Sequence, residues 1–156
     1  AMGMAVYAAK ELECRHIVID SLVKCGLSMD QRNASGAQRD FVDRLAWIAK
    51  TWDVHIHLVH HMRKGNSEAE PGGKFDVKGA GELTDLADNV FLVWRNKGKE
   101  DVLQKDPHDI EAREEPDAML TVAKQRHGDY EGRIMLDFNL PSKQYVSRGM
   151  SPWRMP

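Results

Sequence analysis

The sequence predicts an α/β fold in which parallel strands with crossover helices are followed by a C-terminal antiparallel β meander. Two short runs of β-branched and apolar residues, His16–Asp20 and 54–61, predict strands. Apolar residues recur at helical spacing through 38–52 between them, and a helix that joins two strands implies a right-handed parallel crossover. Strand-like runs within 118–146 alternate with turn residues, which predicts antiparallel pairing.

The remaining elements follow from the same rules. An Ala-, Lys- and Glu-rich stretch at 5–13 favours a helix before the first strand, and turn-forming residues at 26–36 predict an exposed loop after it. A long loop rich in Gly, Pro and charge spans 62–76, and a short helix at 82–87 precedes a buried strand at 89–95. The C-terminal strands are expected at 118–124, 132–138 and 144–146.

The segment 96–117 stands apart because it is strongly acidic and contains two prolines. This composition predicts a polar surface insertion that is partly disordered. Residues 1–4 resemble an expression junction placed before the natural chain. We therefore expect 5–148 to form the folded domain and 149–156 to be a tail.

The composition limits the possible functions. A chain of 156 residues with 42% hydrophobic side chains can form a core, and its formal charge of -2 leaves only local patches for contact with nucleic acid. Cys14 and Cys25 are too few for a disulfide framework and fit buried thiols in a reducing interior. No apolar run approaches the roughly 20 residues of a membrane span, and no basic signal-peptide start is present, so we expect a cytoplasmic protein without membrane contact.

One carboxylate, Asp20, stands at the C-terminal tip of the first predicted strand. Ligands of parallel α/β sheets collect at the carboxyl ends of strands, where an aspartate can bind Mg²⁺. Ser21 can add a hydroxyl to the same site. The alternative is an aspartate that caps the following loop. No G-x-x-x-x-G-K-[ST] phosphate-binding motif occurs in the sequence, so the residues alone leave both interpretations open.

Two histidines, His60 and His61, end the second predicted strand and should arrive next to Asp20 in a parallel sheet. An imidazole at this place can hydrogen-bond a phosphate or a metal-bound water. His55 and His57 raise the alternative of a zinc site. That interpretation is less favoured, because no H-E-x-x-H motif or cysteine accompanies them and strand alternation should divide the histidines between two faces.

Two groups of cations can contact phosphates. Arg63, Lys64 and Lys74 lie on the long loop and can contact a nucleic-acid backbone, although solvated loop charge is the ordinary explanation. Lys124 and Arg126 end a later strand, and their spacing places them on one side of it. Such a pair can stabilise a phosphoryl group in transfer, and an exposed strand-end pair is the alternative.

The order of these motifs resembles the RecA-like motor of hexameric replicative DNA helicases, a branch of the P-loop NTPases. The resemblance runs from about His16 to Val146 and is strongest toward the phage and mitochondrial primase-helicases and the bacterial replicative helicases. Its motifs are the strand ending in Asp20, the amphipathic helix, His-His-Met-Arg-Lys at 60–64, Lys-Gly-Ala-Gly-Glu at 78–82, Ala-Asp-Asn-Val at 87–90 and Val-Ala-Lys-Gln-Arg-His-Gly at 122–128.

The resemblance implies roles in nucleotide chemistry for the strand-end residues. Asp20 would be the Walker B aspartate that binds Mg²⁺ beside ATP, with Ser21 next to it. His61 would be the γ-phosphate sensor, and a shift of one residue in register would give that place to His60. Asp88 would belong to the region that couples the DNA loop to the sensor.

The resemblance also implies contacts outside the subunit. Arg126 would be the arginine finger and Lys124 its companion, both acting on ATP held by the adjacent subunit of a ring hexamer. Arg63, Lys64 and Lys74 would face single-stranded DNA in the central channel.

The function implied is an ATP-dependent DNA helicase that translocates on single-stranded DNA, as in a phage primase-helicase. Family members carry the phosphate-binding loop and a catalytic glutamate before the Walker B strand. We therefore expect this chain to be the C-terminal part of the motor domain and to be inactive alone. The alternatives are a non-catalytic RecA-like module that binds DNA or a partner, and a recombinase-type ATPase that forms filaments.

Overall fold

The computed structural model describes residues 1–26, 34–61 and 80–150. These residues form two compact units. The first comprises the described residues up to Ala87, and the second begins at Asp88. The predicted loop 62–76, with Arg63, Lys64 and Lys74, lies outside the described residues.

The first unit contains a two-stranded parallel sheet. Its strands pair with His16 opposite His55 and Asp20 opposite Val59, so the predicted parallel crossover is confirmed. The elements in chain order are helix α1 (Met2–Lys10), strand β1 (His16–Asp20), a 3₁₀ turn (Leu22–Cys25), helix α2 (Ala34–Thr51), strand β2 (His55–Val59) and helix α3 (Ala80–Leu86).

The core of the first unit lies against one face of this sheet. Alternate strand residues are half-buried there, and the intervening residues on both strands are exposed. The buried cluster comprises Ala5, Leu22, Phe41, Val42, Leu45, Ile48 and Leu83, with Ile17, Ile19, Ile56 and Leu58 of the strands packed against it. Each large apolar side chain fully buried in this way stabilises the fold by about 1.5 to 3 kcal/mol.

The second unit is built on a four-stranded antiparallel sheet in the order β3-β4-β5-β6. The predicted C-terminal meander is therefore confirmed. Its strands are β3 (Asn89–Arg95), β4 (Ala118–Gln125), β5 (Gly132–Asn139) and β6 (Gln144–Ser147). Strand β3 was expected to be buried throughout, but it alternates: Val90 and Leu92 are buried, whereas Phe91 and Val93 are 53% and 74% exposed.

The expectation that 96–117 is partly disordered is wrong. The segment forms helix α4 (Lys97–Lys105) and helix α5 (Ile110–Glu114). Each helix begins with a side-chain cap, because Oδ1 of Asn96 accepts a hydrogen bond from the amide of Lys99, and Oδ1 of Asp109 accepts one from the amide of Ala112. Each cap satisfies a backbone amide in the first turn of its helix.

Other differences are small. Helix α1 begins at Met2 and ends at Lys10, and α2 begins at Ala34, inside the stretch expected to be a loop. The two cysteines are free and half-buried, so the prediction of buried thiols is only partly met. Across the described ranges, no helix combines the length and apolar character that a membrane span requires.

Candidate functional site

Asp20 lies at the C-terminal tip of β1, where its side chain is exposed. Its register partner is Val59, the last residue of β2, and His60 and His61 follow directly. Parallel pairing thus brings an aspartate and two histidines to the same end of the sheet, as the sequence predicts. A carboxylate provides the hard oxygen ligand that Mg²⁺ prefers, and imidazoles can hydrogen-bond phosphate oxygens.

Ser21 is buried, with 2% of its surface exposed, whereas the preceding Asp20 is exposed. Its Oγ has no hydrogen-bond partner among the described residues. A buried hydroxyl without a partner costs about 1 to 3 kcal/mol, so a further donor or acceptor at this position would be favourable. The peptide bond between Asp20 and Ser21 is cis. The predicted site therefore places an exposed carboxylate beside a buried, unsatisfied hydroxyl.

A cluster of three imidazoles occupies the exposed face of the β1–β2 sheet. Nδ1 of His16 lies 3.1 Å from Nε2 of His57, and the ring centroids of His55 and His57 are 4.4 Å apart. His55 and His57 lie together because residues two apart on a strand share a face, whereas His60 is half-buried. Desolvation by its neighbours, followed by the nearby charges of His55 and His16, lowers the pKa of the exposed His57.

This cluster does not amount to a metal site. Within the part of the chain that the structure describes, no group of three or more histidine, cysteine, aspartate or glutamate side chains is arranged to hold a metal ion. The zinc alternative therefore gains no support from these residues.

Arg126 follows directly after β4 and is held in the second unit by Asp88. Its Nη1 lies 2.8 Å from Oδ1 of Asp88, and its backbone amide donates to the Asp88 carbonyl oxygen at 2.9 Å. Lys124 is half-buried on β4, opposite Val90.

Asp88 and Arg126 lie in separate sequence motifs, and neither motif predicts their ion pair. The signal that could have shown it is the antiparallel register, in which Asn89 stands opposite Gln125. Asp88 precedes Asn89 and Arg126 follows Gln125, so this register brings Asp88 and Arg126 next to each other. Asp20, His60 and His61 belong to the first unit, and Lys124 and Arg126 belong to the second.

Comparison with known proteins identifies the fold. An AAA domain family model matches residues 4–67, the segment that contains Asp20, Ser21, His60 and His61. Among solved structures, a DnaB-like replicative helicase, determined in a study of its interactions with primase, matches 94% of this chain with a TM-score of 0.72 at 15% identity. The chain therefore has the RecA-like α/β fold that this helicase also contains.

This chain is much shorter than the helicase chain that it matches. This chain covers 35% of the helicase chain, so it spans about a third of that protein's length. A search among curated proteins gave no significant match. The α/β fold class predicted from the sequence, with its RecA-like resemblance, is thus confirmed as a fold.

Proposed function

We propose that the chain is the C-terminal part of the motor domain of an ATP-dependent replicative DNA helicase. The observation that carries the proposal is the parallel register, which sets Asp20 beside the end of β2 and the histidines that follow it. The match of the AAA domain model to this same segment and the RecA-like fold both support it. The longer protein would be a primase-helicase of the phage type that acts in the cytoplasm.

The residues at the tip of β1 fit Mg²⁺. The exposed carboxylate of Asp20 would bind the ion directly or through water, and the buried Oγ of Ser21, which has no hydrogen-bond partner among the described residues, would complete the polar lining. Bound there beside ATP, the ion would neutralise charge on the phosphate oxygens. No phosphate-binding loop motif occurs in the 156 residues, so other parts of the longer protein would hold the phosphates.

The histidines after β2 would report the state of the nucleotide. His61 is exposed and His60 is half-buried, and both follow Val59, the register partner of Asp20. An imidazole here would donate a hydrogen bond to the terminal phosphate and pass its loss to the segment that follows. That segment contains Arg63 and Lys64, which we propose contact the backbone of single-stranded DNA together with Lys74.

Arg126 and Lys124 would act across a subunit boundary. A guanidinium can stabilise the charge that develops on a phosphoryl group in transfer, and this role requires a neighbouring subunit that presents ATP. We therefore propose that the longer protein works as a ring hexamer that translocates on single-stranded DNA. The isolated 156-residue chain is expected to hydrolyse no ATP.

The test uses the full-length protein that contains this chain and measures ATP hydrolysis with and without single-stranded DNA. Asp20→Asn should lower kcat about 100-fold or more, since a metal ion supplies several kcal/mol of transition-state stabilisation. Asp43→Asn is the matched control, because Asp43 is an exposed aspartate on α2. Equal hydrolysis by the two variants would contradict the proposal and leave a RecA-like binding module without catalysis.

A further inference from the structure

The pairing of Arg126 with Asp88 combines a backbone contact with a side-chain contact. The backbone amide of Arg126 donates a hydrogen bond to the carbonyl oxygen of Asp88, and this bond holds the two backbones beside each other. The guanidinium then meets the carboxylate of the same residue at 2.8 Å. A β-bulge between Val90 and Phe91 interrupts the β3–β4 ladder just beyond this pair. The backbone of Arg126 therefore lies beside that of Asp88, and its guanidinium faces the Asp88 carboxylate.

Both side chains remain open to solvent. The side chain of Arg126 is 41% exposed and that of Asp88 is 37% exposed. An ion pair at this exposure contributes about 0 to 1 kcal/mol, which is enough to favour one orientation but too little to hold the guanidinium against a stronger partner. A phosphate with two or more charged oxygens is such a partner, since arginine binds it in a bidentate manner.

We propose that Asp88 is a positioning residue for Arg126. Its carboxylate orients the Arg126 guanidinium while no phosphate faces that guanidinium. When ATP on an adjacent subunit arrives, the guanidinium leaves Asp88 and binds the phosphate. The inference rests on the proposed function of Arg126 and adds to it the residue that prepares the guanidinium for its task.

A second arginine–aspartate pair in the same unit provides the control. Arg148 binds Asp137 through two hydrogen bonds of 3.1 and 2.9 Å and also donates to the carbonyl oxygen of Glu114 at 2.7 Å. The side chains of Arg148 and Asp137 are 44% and 42% exposed, close to the exposures of the Asp88–Arg126 pair. Removal of the Asp137 charge therefore tests for a general effect of losing an exposed ion pair.

The experiment measures DNA-stimulated ATP hydrolysis by the full-length protein and separates kcat from KM. Asp88→Asn should lower kcat by up to about fivefold with little change in KM, because a misplaced catalytic group slows the reaction without weakening ground-state binding. Asp88→Glu should recover most of the loss, and Asp137→Asn should leave kcat unchanged. Asp88→Ser provides a second charge-free variant, and circular dichroism checks that each variant folds.

A double variant distinguishes positioning from a structural role. If Asp88 acts through Arg126, Asp88→Asn should cause no further loss in the Arg126→Ala background, since residues that act as one unit are not additive. Additive losses would overturn the inference, as would an equal loss in Asp137→Asn.

Two further outcomes separate this inference from the proposed function. Wild-type kcat in folded Asp88→Asn or Asp88→Ser, with Arg126→Ala inactive, would reject the role of Asp88 and leave the helicase proposal standing. Wild-type hydrolysis by Arg126→Ala would reject the role of Arg126 itself, and the inference about Asp88 would fall with it.

Discussion

The Nζ of Lys99 lies 2.7 Å from Oδ1 of Asp117, and this pair ties helix α4 to the start of β4. The side chain of Lys99 is 9% exposed and that of Asp117 is 31% exposed, so the pair is largely shielded from water. Lys99 also donates to the carbonyl oxygen of Glu115 at 2.7 Å, and the second carboxylate oxygen of Asp117 accepts from the amide of Phe138. A segment that looks disordered by composition is thus fixed at both ends by charged groups.

Lys99→Met should destabilise the second unit by about 2 to 4 kcal/mol, because it leaves the Asp117 carboxylate without its nearest cation in a partly buried position. Urea-induced unfolding followed by circular dichroism measures the change. Lys105→Met is the control, since Lys105 is an exposed lysine on the same helix and its replacement should cost less than about 0.5 kcal/mol. Equal midpoints for the two variants would contradict this prediction.

The same carboxylate should make stability depend on acid. Burial alone would raise the pKa of Asp117, but the hydrogen bonds from Lys99 and Phe138 and the charges of Lys99 and Arg148 hold the pKa below its ordinary value of 3.8. A carboxylate with a depressed pKa in the folded state stabilises the fold above its unfolded pKa and loses that contribution as pH falls through the folded pKa.

Asp117→Asn should therefore lower the free energy of unfolding at neutral pH and make it less sensitive to pH below about 4. Unfolding curves for wild type and variant at several pH values between about 2 and 7 test this. Curves that stay the same distance apart over the whole range would show that the Asp117 carboxylate does not carry the acid dependence.

The strands of this fold were the easiest elements to predict. The bounds of β1 and β3 agree with the sequence prediction, because β-branched and apolar residues are dense in His16–Asp20 and Asn89–Arg95 and end abruptly at polar neighbours. The start of α2 was missed, since turn-forming residues around Gly36 favour a loop by local propensity. The structure places them in the first turns of a helix.

The helices in 96–117 could not be predicted from composition. The segment is folded because Lys99 pairs with Asp117 and because Nδ2 of Asn96 donates to Oε2 of Glu115 at 2.8 Å. These partners lie 18 and 19 residues apart in sequence, and only the fold shows that they meet.

The candidate site likewise has one part that the sequence predicts and another part that it does not. The position of Asp20 near the end of β2 follows from strand order alone, since parallel strands end at a common edge. The pair of Arg126 with Asp88 and the imidazole cluster both depend on strand register, which composition and motif spacing do not fix.

The imidazole cluster on the β1–β2 sheet should make the first unit sensitive to mild acid. Desolvation and the neighbouring charges of His55 and His16 lower the pKa of His57 from its ordinary value of 6.5. The unfolded chain then takes up a proton at a higher pH than the folded chain does. The free energy of unfolding therefore keeps its full value above about pH 6.5 and declines as pH falls toward the pKa of His57 in the folded state. Below that pKa, His57 causes no further decline.

His57→Gln should remove part of this decline, because the glutamine side chain does not titrate and no longer adds charge beside His16 and His55. Thermal unfolding of wild type and variant at about pH 7.5 and pH 5 measures the effect, with exposed His108→Gln as the control that should keep the wild-type decline. An identical loss of stability in wild type and His57→Gln would place the acid sensitivity outside the cluster.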